Sequence, residues 1–184
     1  GTQVCESQYW NFLDPDVLGW RYETLSRMEF FRDLFEIRRV VEPAAAALAA
    51  EKATAEDMRA IETACTDMEH ADPSSDAAIS ADMAFHRAIL NACHNVLLLQ
   101  MGTLIAVGLH TSFRISTRFY PASLPHHRPV ANAILAREST AARAAMQTLL
   151  EETFSVVERQ LLSRAPVPAE TPTAAIDHAD LHHT

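Results

Sequence analysis

Asp76-Ala-Ala-Ile79-Ser-Ala-Asp82-Met-Ala-Phe85-His86-Arg-Ala-Ile89-Leu90-Asn-Ala-Cys93 is the stretch whose reading decides the fold. Its apolar residues recur at helical rather than alternating spacing. Asp82 and His86 stand four residues apart, and four steps of about 100° leave them only about 40° out of line on a helix. Ile89 and Cys93 continue the same face, so that face points inward. A carboxylate and an imidazole aimed at a core must pair with each other, meet buried partners, or hold a metal. Spacing alone leaves all three open.

Working outward, the same helical periodicity fills most of the chain. Upstream, Phe30, Leu34, Ile37, Val41, Ala45 and Leu48 give a core stripe from Ser26 to about Lys52. Arg38 and Glu42 lie on a neighbouring stripe with Ala45 and Ala49, where small residues leave room for a ligand or simply flank an intrahelical ion pair. Pro43 removes one backbone bond and should bend this helix. Thr54 caps a second helix that runs to about His70, with Met58, Ile61, Cys65 and Met68 inward. Downstream, His94-Asn95 marks a corner. A long apolar helix is expected from Val96 to Arg118, with Leu97, Leu98, Met101 and Ile105 spread around a central position. A fifth helix follows from Leu124 to Arg137. A sixth, from Thr140 to Ser163, should bury Ala144, Met146, Leu149, Leu150, Phe154, Val157 and Leu161.

The two ends read differently. Residues 1–25 are irregular and aromatic, with Asp14 placed to cap a short helix, and they are expected to dock on the domain or on a partner. Residues 165–184, with Pro166, Pro168, Pro172 and three histidines, read as a disordered tail. The bundle itself spans 26–164.

Composition agrees with an all-α chain of about six to seven helices, since glycine is scarce, at 4 residues in 184. A formal charge of -9 makes the chain a poor nucleic-acid binder as it stands. No apolar run reaches the roughly 20 residues of a membrane span. Three cysteines, an odd number, point to a reduced, cytoplasmic protein. Glycine-rich phosphate loops, the G-x-S-x-G elbow, CxxC pairs and HExxH are all absent.

Four segments in order carry a family resemblance: Glu36-Ile-Arg38-Arg-Val-Val-Glu42-Pro43, Asp82-Met-Ala-Phe-His86-Arg-Ala-Ile89, His127-Arg-Pro-Val-Ala-Asn-Ala-Ile134, and Ala141-Ala-Arg-Ala-Ala-Met146. Together they resemble the effector-binding (FCD) domain of FadR-type GntR transcription regulators over about Ser26 to Leu162. The Gly1-Thr-Gln-Val4 start and Trp10-Asn-Phe-Leu-Asp-Pro-Asp-Val-Leu18 resemble the wing end and linker of the galactonate-regulator (DgoR-like) subgroup. This resemblance implies an antiparallel helical bundle and a winged-helix DNA-binding domain ahead of Gly1. It also implies a homodimer that meets operator DNA only through that domain, no enzymatic activity, and no membrane partner.

The resemblance further implies a divalent metal, zinc first, with nickel, manganese or calcium as alternatives, under a small carboxylate effector such as a sugar acid or hydroxy acid. Asp82, His86 and His127 match three family ligands, with His126 the rival to His127; the fourth ligand falls on Leu149, which cannot ligate. Arg38 matches the arginine offered to the effector's carboxylate, and Thr111, Arg114 and Phe119 are further effector-binding candidates. Two other readings stand beside this one: a metal-free sensor of an acyl ligand, and a metal-dependent helical-bundle enzyme.

Overall fold

The computed structural model describes residues 5–12, 14, 16–18, 20, 26–73, 75–102, 105–106 and 123–163. Within them the chain is an antiparallel all-α bundle. Its helices are α1 (Arg27–Lys52), α2 (Ala55–His70), α3 (Asp76–Ala92), α4 (His127–Leu135) and α5 (Ser139–Ser163). Residues 96–102 are also helical, and short 3-10 turns occupy Ser7–Tyr9 and Leu124–His126. No described helix is long and apolar enough to cross a membrane.

Local chemistry sets the helix starts. Ser26 and Glu29 form a capping box at α1, and Thr54 and Asp57 form another at α2. The Ser75 hydroxyl accepts from the Ala78 N–H to start α3. In the N-terminal stretch, Asp14 Oδ1 accepts from the N–H groups of Asp16 and Val17, the cap read from the sequence. α4 begins at His127 rather than Leu124, because a tighter 3-10 turn precedes it.

The stops are equally specific. α3 ends at the expected corner, where His94 adopts φ 46° and its imidazole pairs with Asp57 at 2.8 Å. α4 ends in a Schellman turn: Glu138 N–H donates to Ala133 O, Arg137 N–H to Ile134 O, and Arg137 takes φ 60°. Arg137 also donates to Ala53 O, so one interhelical turn ties down another. α1 runs through Pro43 without a break.

α1 packs along α5, α2 along α3, and α4 against α5; α1 also reaches α3 and α4. An aromatic cluster of Phe31, Phe35 and Phe154 fills the α1–α5 seam, with ring centroids 4.4–5.5 Å apart. On the other side of α4, Arg128 forks onto Glu62 and Glu69 of α2 at 2.7–2.9 Å. The centre is unusually rich in alanine, with Ala45, Ala46, Ala49 and Ala50 all buried. Small residues there let the helices approach closely, and the larger Phe85, Ile89, Ile134, Met146 and Leu150 fill the remaining space.

Three packing expectations need correction. Ala144 is exposed; the inward stripe keeps Met146, Leu149, Leu150 and Val157, and Ala142, one turn before Met146, is its buried first member. Met58 is only partly buried. Leu97 and Val96 are 75% and 68% exposed, so the start of the 96–102 helix lies at the surface rather than the centre. Ile105 is buried, as expected. The remainder of that long helix, and residues 165–184, lie outside the described residues.

Candidate metal and effector site

Five polar residues are buried in the described bundle: Arg38, Glu42, Asp82, His86 and His127. They come from three helices, α1, α3 and α4, and they meet. Asp82, His86 and His127 each offer a ligand atom, and these atoms lie within 4.8 Å of one another. His127 Nε2 is 2.9 Å from Asp82 Oδ1, and His86 Nε2 is 3.9 Å from the same oxygen. The rings of His86 and His127 stand edge to face, each also edge-on to Phe85. His126 is half-buried and not part of this group, whereas His127 is almost fully enclosed.

The surroundings orient the histidines. His127 Nδ1 lies 3.0 Å from the Ser123 carbonyl, which can only accept, so this nitrogen carries the proton. In a neutral ring that leaves Nε2 with a lone pair facing the Asp82 carboxylate. Two lone-pair atoms do not attract each other; a cation between them, or a proton on His127, resolves the conflict. His86 Nδ1 is 2.7 Å from Glu42 Oε2, and its Nε2 is the nitrogen turned toward Asp82. Although both imidazoles lie close to carboxylates, buried His86 Nδ1 and His127 Nε2 lack a hydrogen-bond partner with suitable angles. Buried polar atoms left so are uncommon; an ion would account for His127 Nε2, whereas His86 Nδ1 faces Glu42, on the ring edge away from Asp82. On donor chemistry the group fits a divalent metal: two imidazoles and a carboxylate suit zinc, nickel or manganese and leave positions open.

Arg38 and Glu42 complete the cluster. Arg38 donates to Glu42 through Nε, and its guanidinium sits over Phe35 at 4.9 Å. Burial alone would push the Glu42 carboxyl up. Arg38 and His86 beside it outweigh that effect and bring it down to about 2. Burial likewise opposes ionisation of Asp82, but His127, His86 and Arg38 hold its carboxyl below the usual range. Both acids therefore stay charged at neutral pH, inside a core.

A cavity of about 690 Å³ opens between α3 and residues 99–102 and 105–106 and reaches His86. Met83, Ala84, Leu90, Leu99, Ile105 and Ala106 supply half of its lining residues, with Ser80, Arg87, Asn91 and Gln100 as polar members beside His86. Gly102 permits the close approach here, since a Cβ at that position would lie 2.5 Å from Leu90 Cδ1. Arg38, Asp82 and His127 do not line this cavity. Leu149 is buried in the core. The effector candidates Thr111, Arg114 and Phe119 lie outside the described residues.

The sequence reading missed the role of Glu42. It was legible as a partner for Arg38, four residues away on one helix. Its contact with His86 depends on how α1 crosses α3, and no spacing within either helix reports that.

Comparison with known proteins identifies the family of this bundle. The FCD domain model matches residues 33–152. The chain is 32% identical to the galactonate operon transcriptional repressor of Escherichia coli over 154 residues, covering 82% of this chain and 67% of that protein. It is 29% identical to the HTH-type transcriptional regulator LutR of Bacillus subtilis, covering 66% of this chain and 59% of that one. Among solved structures, Streptococcus agalactiae GntR superposes with a TM-score of 0.62 at 24% identity, over 71% of this chain and 61% of its own. The chain thus spans about three fifths to two thirds of the length of these relatives, and the curated ones are regulators rather than enzymes. With the matched region holding every member of the buried polar cluster, the chain belongs to the FCD-domain family of GntR-type transcriptional regulators.

Proposed function

We propose that this bundle is the ligand-sensing and dimerisation domain of a transcriptional repressor, and that it takes a small sugar acid or hydroxy acid at a divalent-metal site. The observation that carries this reading is the convergence of Asp82, His86 and His127 from two helices, with Arg38 buried nearby. Asp82, His86 and His127 would hold the ion, which supplies a Lewis-acidic anchor for carboxylate and hydroxyl oxygens at its open positions. Arg38 offers a planar fork suited to the second carboxylate oxygen. Galactonate is the first acid to try, because a relative at 32% identity is named for the galactonate operon.

Ligand binding alters DNA affinity only if it favours one arrangement of the paired chains over another. Winged-helix domains ahead of this bundle would be moved by that shift and leave the operator. A homodimer follows from the two-fold symmetry of such operators.

Elemental analysis of tag-free protein, followed by calorimetry with D-galactonate before and after chelator, tests the proposal. About one divalent ion per chain is expected, the stoichiometry of a single three-ligand site. Galactonate binding should disappear with the ion. Undiminished binding after chelation would refute the metal-centred reading. It would favour the second reading, a metal-free sensor of an acyl ligand, which the largely apolar wall of the 690 Å³ cavity supports.

A further inference from the structure

We infer that Glu42 is a positioning residue that couples the metal ligand His86 to the effector-facing Arg38, so that metal and acid effector strengthen each other's binding through this one carboxylate. The inference rests on the metal-site reading above and goes beyond it by assigning a regulatory role to a residue that touches neither ligand.

Glu42 faces both groups. Arg38 donates to Oε1 through Nε and reaches Oε2 from Nη2 at 3.4 Å. Oε2 also stands 2.7 Å from His86 Nδ1, at angles not yet suited to a hydrogen bond. Glu42 lies outside the group whose atoms converge within 4.8 Å, so it stands behind His86 rather than among the ligands. A carboxylate behind a metal-bound imidazole fixes the tautomer, keeps the other nitrogen free for the ion and makes it a better donor. Here that other nitrogen is Nε2, the one turned toward Asp82.

Glu42 has a single negative charge to share. With Arg38 bound tightly to Oε1, less of that charge polarises His86. An effector carboxylate that draws Arg38 away from Glu42 returns the charge to the imidazole, and the ion is held more firmly. Reciprocity then requires that the ion raise affinity for the acid by the same factor. Glu42 and Arg38 are 2% and 3% exposed, so water does not screen this exchange.

The test is a double-mutant cycle read by zinc affinity, using a competing chelator dye and zinc alone. Glu42→Gln should weaken zinc by about 10–100-fold, the range for losing an outer partner of a ligand histidine. Glu42→Asp should recover part of that loss. Arg38→Ala should tighten zinc in the wild-type background and have less than half that effect, on the logarithmic scale, beside Glu42→Gln. A merely structural role would weaken zinc in every variant. Equal effects of Arg38→Ala in both backgrounds, or Glu42→Gln within twofold of wild type, would overturn the coupling. Should Glu42→Gln fail to fold, the nitrogen chemical shifts of His86 in zinc-loaded wild type decide instead. A ring ligated through Nε2 with its proton on Nδ1 is expected, and the reverse tautomer overturns the proposal. Wild-type protein that takes up no zinc, nickel or manganese would fail the site reading itself, a distinct result that removes the coupling with it.

Discussion

Replacing Asp82 by Asn separates a metal site from a structural Asp–His pair. Asparagine keeps the shape and can still accept from or donate to His127, but it removes the only anionic member of the three-ligand group. For the wild type, zinc at about 100 times its dissociation constant stabilises the fold by about 2.7 kcal/mol, since the unfolded chain has no assembled site. The bundle from Arg27 to Ser163 is roughly 140 residues, and at about 2.1 cal/mol/K per residue its unfolding entropy is about 0.29 kcal/mol/K. The expected rise in Tm is therefore about 9 °C. Losing a direct ligand should cost at least the ~100-fold that an outer-shell partner can cost. At the same zinc concentration the gain then falls to about 0.4 kcal/mol or less, a rise of about 1.4 °C at most. Differential scanning fluorimetry with and without zinc reads this directly, and metal-free Tm values control for folding. Equal zinc shifts in wild type and Asp82→Asn would refute the reasoning, as would no shift in either.

Other outcomes follow from the same geometry. Arg38→Ala should weaken a metal-dependent acid by about 2–5 kcal/mol if the pair is fully desolvated; calorimetry with D-galactonate checks it, and an unchanged Kd removes Arg38 from the site. Leu149→His, at the position where the family pattern puts a fourth ligand, should cost metal-free stability by about 1–3 kcal/mol for burying a polar ring. It should tighten zinc by about tenfold or more, 1.4 kcal/mol per factor of ten, by closing the coordination shell; dye competition measures the change. Acid should destabilise the bundle partly through two surface acids: the Thr54 hydroxyl holds Asp57 below its ordinary 3.8, and Arg128 holds Glu69 below 4.5. Because both folded values are depressed, their contribution is present above these ordinary values and is lost as pH falls through the lower folded ones. Urea titrations from pH 6 to pH 3 should show a shallower loss for Asp57→Asn than for wild type.

Much of this bundle was legible because its helices announce their own ends. The Thr54 cap and the His94 corner are short-range devices in which the residues that cause the structure are neighbours in sequence. The inward face of α3 was legible for the same reason: Asp82, Phe85, His86 and Ile89 share it by helical geometry alone. What failed were statements about which helix covers which. Ala142 and Ala144 differ little as residues, and only the position of α5 against its neighbours buries one and exposes the other. The exposed Val96 and Leu97 could not be told from core residues, because hydrophobicity does not say whether a partner surface is present. His127 over His126 came from the family pattern, since adjacent histidines at a helix start offer no internal reason to prefer either.

Charge counting gives a separate reason for pairing a metal with an acid here. Arg38 carries +1, Glu42 and Asp82 carry -1 each, and both imidazoles must be neutral to serve as ligands. The enclosed cluster then holds a net -1, which is costly in a core with little water. A divalent ion alone reverses this to +1, and a monocarboxylate alone deepens it to -2. Only the two together bring the cluster to neutrality. A neutral sugar would leave the +1 in place, and a dicarboxylate would restore -1 unless its second group reached solvent or another cation. On the proposed reading, this balance would favour a monoanionic acid bound together with the ion, and it disfavours the acid arriving without it. That is the behaviour a sensor needs if the resident ion is to report on one class of metabolite.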